Sequence, residues 1–251
     1  MLSRQVELQQ AEVFTYDGLG RALTSTDLNG ETTALVYNDA TLTTTITTGS
    51  GLTETRVYNK AGELLTHTHS GAYSKDGTKT YHYDSLGQLY WLEDEIGYDT
   101  YFLYDHLGRV SAQIDNHGQI QYFKYNENVQ LTATYKPLNR IKTSTQTYTD
   151  LLPLLQGMDH GYMLEDVIPD ELSTDVITWT VYDDAGRVIQ TILGDGSTKT
   201  FEYDQAGRLI KTVAYDTKLD ASSYYDTPPT TKTLPSSHAE DRVTRSLYDG
   251  D

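Results

Sequence analysis

Tyrosine returns along this chain at a fixed interval, and that interval constrains the fold more than any other feature. A tyrosine followed by Asp or Asn opens a short turn at Tyr16, Tyr37, Tyr58, Tyr83, Tyr104, Tyr125, Tyr182 and Tyr203. The successive spacings are 21, 21, 25, 21, 21, 57 and 21 residues. A period of roughly 20–50 residues marks a repeat architecture, whose units lean on their neighbours instead of each building a core. The fullest copies are Tyr16-Asp17-Gly18-Leu19-Gly20-Arg21, Tyr104-Asp105-His106-Leu107-Gly108-Arg109, Tyr182-Asp183-Asp184-Ala185-Gly186-Arg187 and Tyr203-Asp204-Gln205-Ala206-Gly207-Arg208. Tyr83-Asp84-Ser85-Leu86-Gly87-Gln88 and Tyr58-Asn59-Lys60-Ala61-Gly62-Glu63 are close relatives, while Tyr37-Asn38 and Tyr125-Asn126 open copies without the glycine.

Each unit carries a second turn near its middle, as in Asp27-Leu28-Asn29-Gly30, Asp115-Asn116-His117-Gly118 and Gly194-Asp195-Gly196-Ser197. Asp and Asn bond their own downstream backbone, and Gly accepts the positive φ such turns demand. Between turns, Val110, Ala112 and Ile114 alternate with Arg109, Ser111 and Gln113, the period of two of a strand with one buried face. The unit is therefore read as a β-hairpin, and the chain as an antiparallel meander. Twenty-one Tyr against four Phe and two Trp, with threonine runs at 43–45 and 47–48, fit an all-β class. A chain of 251 residues is also long enough to bury a sizeable core.

Charge and missing residue types exclude several functions. The net charge of −17 argues against nucleic acid or an anionic membrane surface as partner, since both require a basic face. With no cysteine there are no disulfides, thiolate metal sites or cysteine nucleophile. No stretch approaches the roughly 20 apolar residues of a membrane span, and the polar start shows no signal peptide.

The Tyr-Asp-x-x-Gly-Arg motif with its mid-unit turn resembles the YD repeats of RHS-repeat proteins, which include bacterial polymorphic toxins, shell components of insecticidal toxin complexes and teneurins. The resemblance covers Thr15 to Thr212 with one interruption. It implies a long antiparallel sheet spiralling into a hollow shell, often around a toxic C-terminal domain of the same polypeptide. This chain is then a curved wall segment whose partners are flanking repeats and such a domain, secreted or at a cell surface. Val6, Leu8, Val13 and Phe14 ahead of the first motif, and Tyr248-Asp249-Gly250-Asp251 opening another, read as parts of a longer array.

The expected organisation is repeat hairpins over 1–125, a repeat with a long inserted loop over 126–181, and hairpins over 182–213. An extended mobile loop or degenerate repeat follows over 214–247, then a truncated repeat over 248–251. Thr149-Asp150 ahead of Leu151, Leu152, Leu154 and Leu155 predicts a capped helical turn in the first insertion, with Pro153 near its start. Both insertions are expected as enlarged hairpin loops on one edge of the sheet.

The motif residues Tyr16, Asp17, Gly20, Arg21, Tyr83, Asp84, Gly87, Tyr104, Asp105, Gly108, Arg109, Tyr182, Asp183, Gly186, Arg187, Tyr203, Asp204, Gly207 and Arg208 are read as structural. The tyrosine ring packs on the neighbouring hairpin with its hydroxyl at the sheet edge, the Asp caps its turn, and the Arg pairs with the Asp of the next unit. His67 and His69 share one face of a strand, but no third metal ligand lies in sequence reach. His82, His106, His117, His160 and His238 suggest no metal or acid–base set either. The acidic runs Glu93-Asp94-Glu95, Glu165-Asp166 and Asp183-Asp184 fall in turns, and no nucleophile elbow, P-loop or dinucleotide fingerprint is present. The expectation is a structural module, not an enzyme, without cofactor or metal. The alternative is a glycan-binding surface using Tyr90, Trp91, Tyr98, Tyr101 and the inserted loops. A polysaccharide-degrading enzyme is the third class.

Overall fold

The structure is a computed structural model that describes residues 12–71, 74–128, 130–142, 147–156, 164–168, 176–225 and 227–248. Val6, Leu8, Asp249, Gly250 and Asp251 lie outside these residues, as does His160. The chain is all-β, its strands antiparallel and assigned to one sheet, and it divides into two compact units, Met1–Thr100 and Tyr101–Asp251.

The first unit holds β1 (Val13–Tyr16), β2 (Ala22–Thr26), β3 (Thr32–Asn38), β4 (Thr43–Thr47), β5 (Thr53–Tyr58), β6 (Leu64–Gly71), β7 (Ser74–Tyr83) and β8 (Leu89–Glu93). Each pairs antiparallel with the next. The expectation of a sizeable core fails in this unit: among its described residues Tyr90 alone is buried. Its threonines show why it needs none. They face one another across strands, with Oγ1–Oγ1 separations of 2.6 Å for Thr15–Thr24, 2.9 Å for Thr26–Thr32 and 2.9 Å for Thr68–Thr78. β-branched residues that hydrogen-bond sideways support a half-wet pleated surface.

The strand β9 (Asp99–Tyr104) spans the boundary. The second unit continues with β10 (Val110–Asp115), β11 (Ile120–Tyr125), β12 (Leu131–Lys136), α1 (Tyr148–Leu155), α2 (Leu164–Val167), β13 (Val176–Tyr182), β14 (Val188–Leu193), β15 (Thr198–Tyr203), β16 (Leu209–Ala214) and β17 (Arg242–Arg245). From β10 to β17 each strand again pairs with the next. One face of this unit is dry. Tyr101, Leu103, Ile114, Tyr122, Tyr135, Ile177, Trp179 and Ile192 alternate inward along their strands and are buried. Tyr122 and Tyr135 stand opposite each other on β11 and β12, with ring centroids 4.5 Å apart.

The two insertions contribute to this buried layer. The first joins β12 to β13 and the second β16 to β17, both at mid-unit turns. Leu151 and Leu155 of α1, with Ile141 and Val167, are fully buried. The helix begins slightly earlier than its leucines suggest. Thr147 is the N-cap, and Asp150 sits at the third helical position, its carboxylate accepting the Thr147 main-chain N–H at 2.9 Å.

Over 214–247, where the sequence predicts an extended mobile loop or a degenerate repeat, the described residues form a strap held to the second unit. Tyr224 and Tyr225 set their rings edge-on to Trp179 at 5.7 and 5.4 Å. The buried amide of Gln190 accepts from the Thr233 N–H at 2.9 Å and donates to the Thr233 carbonyl, and Lys218 pairs with Asp195 at 2.6 Å. Polar composition conceals these anchors because Tyr, Gln and backbone groups make them, not a run of aliphatic residues.

Candidate functional site

The functional feature of the molecule is the joint between successive repeats, and it begins as a local turn. In Tyr16–Arg21 the Gly20 N–H donates to the Asp17 carbonyl at 3.0 Å and the Asp17 N–H to the Arg21 carbonyl at 2.9 Å. Asp17 Oδ1 accepts the N–H groups of Leu19 and Arg21, both at 2.9 Å. Gly20 takes φ +80°, a left-handed conformation that supplies the one-residue bulge where β1 and β2 lose register at Tyr16. The same pattern recurs at Asp105, Asp183 and Asp204. Mid-unit turns at Asp27, Asp94 and Asp115 use it too.

The arginine then departs from expectation. Arg21, Arg109, Arg187 and Arg208 pair with the Asp of their own turn, at 2.7, 2.6, 2.7 and 2.8 Å. Among the described residues the predicted ladder of Arg to the next unit's carboxylate is seen for Arg21 alone, which also pairs with Asp39 at 2.6 Å, while Arg109 and Arg187 reach forward to the main-chain carbonyls of Asn126 and Asp204. The bulge explains the pairing within the turn, because it brings residues i and i+4 side by side. The Arg21 main-chain N–H, followed by its guanidinium, holds the Asp17 carboxyl below the usual carboxylate range, and Asp183 is held down in the same way by Arg187.

Thus anchored, each guanidinium lies over the tyrosine that opens the next repeat. The guanidinium carbon is 4.3 Å from the Tyr37 ring centroid for Arg21, 4.6 Å from Tyr125 for Arg109, 4.9 Å from Tyr203 for Arg187 and 4.8 Å from Tyr248 for Arg208. The same tyrosine donates its hydroxyl backward to the carbonyl of the residue after that arginine. Tyr37 reaches Ala22 O at 3.0 Å, Tyr125 Val110 O at 2.8 Å, Tyr203 Val188 O at 2.9 Å and Tyr248 Leu209 O at 3.0 Å. Tyr182 completes the set on Leu131 O at 2.9 Å. Tyr182 and Tyr248 restore this contact across the two insertions, so the extra residues are looped out while the inter-repeat register is kept.

The remaining sequence candidates do not assemble into one site. Tyr90 and Trp91 are adjacent on β8 and face opposite ways. Tyr90 is 7% and Tyr101 2% exposed, whereas Tyr98 is 48% exposed. Trp91 stacks on His82 at 3.9 Å and donates its indole N–H to Asp99 at 2.7 Å. His67 and His69 do share a face, but within a mixed-charge network: His67 lies 3.4 Å from Glu54, His69 3.6 Å from Glu95, and Arg56 and Lys79 pair with the same two acids. Among the described residues no group of three or more His, Asp or Glu is placed to hold a metal, and no helix is long and apolar enough to cross a membrane.

A family model described as Teneurin YD-shell matches residues 2–162, and one described as RHS Repeat matches residues 182–217. The chain belongs to the teneurin YD-shell family of RHS-repeat proteins. No curated protein matches it. Among solved structures it is similar to TcdB2-TccC3-TEV, with 13% identity over 81% of this chain and 13% of that one and a TM-score of 0.36. It is similar also to the Photorhabdus luminescens Tc holotoxin pore, with 13% identity over 80% of this chain and 14% of that one and a TM-score of 0.33. A porin-like protein from Bacteroides uniformis gives 18% identity over 81% and 80% of the two chains, with a TM-score of 0.24. The chain spans 13% of the length of the first of these.

Proposed function

We propose that this chain builds part of the wall of a β-shell within a longer RHS/YD polypeptide, enclosing or presenting a toxin or effector domain, and that it performs no catalysis itself. The observation carrying this reading is the joint, an Asp-anchored Arg over the next Tyr ring with the Tyr hydroxyl on the carbonyl beyond that Arg, which recurs at the boundaries closed by Tyr37, Tyr125, Tyr203 and Tyr248. A joint repeated with the same geometry lets units add in register, which is what a wall requires. In this reading the protein's partners are flanking repeats and the enclosed domain, and it works outside the cell or at a cell surface. The five tyrosine hydroxyls bonded to carbonyls of the preceding repeat support a structural use of these residues.

The test is electron cryomicroscopy of the full polypeptide that contains this chain. The expected result is further strands paired beyond β1 and β17 and density for a separate domain inside the wall. A polypeptide whose strands end in solvent and surround nothing overturns the proposal.

A further inference from the structure

The mid-unit turn between β2 and β3 carries a chemical weakness that its counterparts lack. Asn29-Gly30 is the single Asn-Gly pair in the sequence. Glycine has no Cβ to shield its main-chain nitrogen, and it adopts the backbone angles that bring this nitrogen onto the preceding side-chain carbonyl. Leu28, Asn29 and Gly30 are all exposed, and a Cβ placed on Gly30 would meet nothing within 4 Å among the described residues. Two bonds hold the reacting groups. The Gly30 N–H donates to the Asp27 carbonyl at 3.0 Å, and Asn29 Nδ2 donates to Asp27 Oδ2 at 3.3 Å. Both lie within one exposed turn, so they open without unpairing the strands. The residue before the turn glycine is Ile96 at the Asp94 turn and His117 at the Asp115 turn, and neither bears a carboxamide. Asp195-Gly196 comes nearest, but the Asp195 carboxylate is engaged by Lys218 at 2.6 Å and by Ser197 Oγ at 3.0 Å, and an ionised carboxylate resists nucleophilic attack.

We infer that Asn29 is a site of spontaneous covalent modification, deamidation through a cyclic imide, and that the change loosens the turn between β2 and β3. The Gly30 main-chain nitrogen bonds to the Asn29 side-chain carbonyl carbon. The side-chain nitrogen leaves as ammonia, carrying the proton that Gly30 gives up. Water then opens the imide at either carbonyl, which yields aspartate or, with the main chain rerouted through the side chain, isoaspartate. Water is the only co-reactant, and nothing is oxidised or reduced. Both products disturb the turn. Aspartate sets a second carboxylate beside Asp27 Oδ2, where Asn29 Nδ2 now donates, so a hydrogen bond becomes like-charge repulsion. Isoaspartate adds a methylene to the main chain of a turn that depends on Gly30 at φ +84° and on the Asp27 N–H reaching the Glu31 carbonyl at 2.9 Å. The flanking strands β2 and β3 feel the change because they are held by surface pairs such as Thr26–Thr32, 2.9 Å, and not by a buried core. The inference concerns one turn and does not depend on the wall reading.

The test ages the intact protein in mildly alkaline buffer and follows each asparagine-containing peptide by mass spectrometry, with electron-transfer fragmentation separating isoaspartate from aspartate. The peptide holding Asn29 is expected to gain the mass of amide-to-acid exchange, faster as pH rises and with isoaspartate in excess. Peptides holding Asn38, Asn59, Asn116 and Asn126 should change far more slowly. Unfolding in urea should speed the Asn29 reaction about fivefold, the weight of one ordinary hydrogen bond holding the turn closed. Asn29→Gln should show no such gain. In the aged protein, amide exchange should quicken at Asp27, Gly30 and Glu31 but not at Gly97 and Tyr98 of the Asp94 turn. The inference is overturned if Asn29 stays intact in the folded protein over a period in which the unfolded chain converts, if another asparagine converts first, or if the converted protein keeps the parent exchange rates at Gly30 and Glu31.

Discussion

Replacing Gly196 and Gly207 by alanine separates backbone strain from packing on a single scaffold. Both glycines close turns of the second unit in the left-handed region, at φ +84° and +80°. An L residue in that conformation costs about 1 kcal/mol, and this is the whole expected effect at Gly207, where a Cβ would meet only Arg187 Nη1 at 3.9 Å. At Gly196 the Cβ would overlap the Leu219 carbonyl oxygen and crowd its backbone, so the strap must lift. Lifting it breaks the Leu219 N–H bond to the Gly196 carbonyl, 3.0 Å, and loosens the Lys218–Asp195 pair beside it. One hydrogen bond adds about 1 kcal/mol and partial uncovering of Ala221 adds a similar amount, for a total of about 3 kcal/mol. Urea unfolding measures the difference: with a slope of about 2–3 kcal/mol/M, Gly207→Ala lowers the midpoint by about 0.4 M and Gly196→Ala by about 1 M or more. Amide exchange should quicken at Leu219 and Tyr215 in Gly196→Ala alone. Equal midpoints for the two variants, or unchanged exchange at Leu219 in Gly196→Ala, would refute the reasoning that the strap rests on this turn.

Further outcomes follow from the same geometry. Tyr203→Phe keeps the ring under Arg187 but removes the hydroxyl bond to Val188 O, and should cost about 1 kcal/mol in urea unfolding; no change would mean the bond is not a strut. Acid should weaken the fold, because turn carboxylates such as Asp17, Asp183 and Asp204 titrate below their ordinary range and Asp195, held mainly by Lys218, is lowered to about 2. A group depressed on folding contributes fully above its unfolded value of about 4, and that contribution is lost as pH falls through the folded value, so the urea midpoint should drop between about pH 5 and pH 2. A midpoint that is flat or rises over that range contradicts the carboxylate capping.

The period of the tyrosines, the hairpin unit and the Asp-capped turn were readable in the sequence because each is local: a glycine, a capping carboxylate and an alternating strand all act within about six residues. The direction of the arginine was not. Whether Arg109 reaches Asp105 or the next unit depends on a bulge that brings i and i+4 together, and composition does not display bulges. Likewise Tyr90 and Tyr101 looked like part of an exposed aromatic patch, but strand alternation turns each ring away from its sequence neighbour and into covered layers. The helix of the first insertion was visible from its leucines. Its service as part of a buried layer depended on the face of the sheet that Ile114, Tyr122 and Tyr135 present, a long-range property.

The central claim, that arginine and the following tyrosine fasten one repeat to the next, is tested most directly by a double-mutant cycle on Arg109 and Tyr125, comparing Arg109→Ala, Tyr125→Leu and the pair by equilibrium unfolding. Their contact at 4.6 Å, with the Arg109 side chain only 20% exposed, predicts a coupling of about 0.5–1 kcal/mol. Losses that add to within about 0.3 kcal/mol would show that the two residues stabilise the protein independently, and would contradict the account.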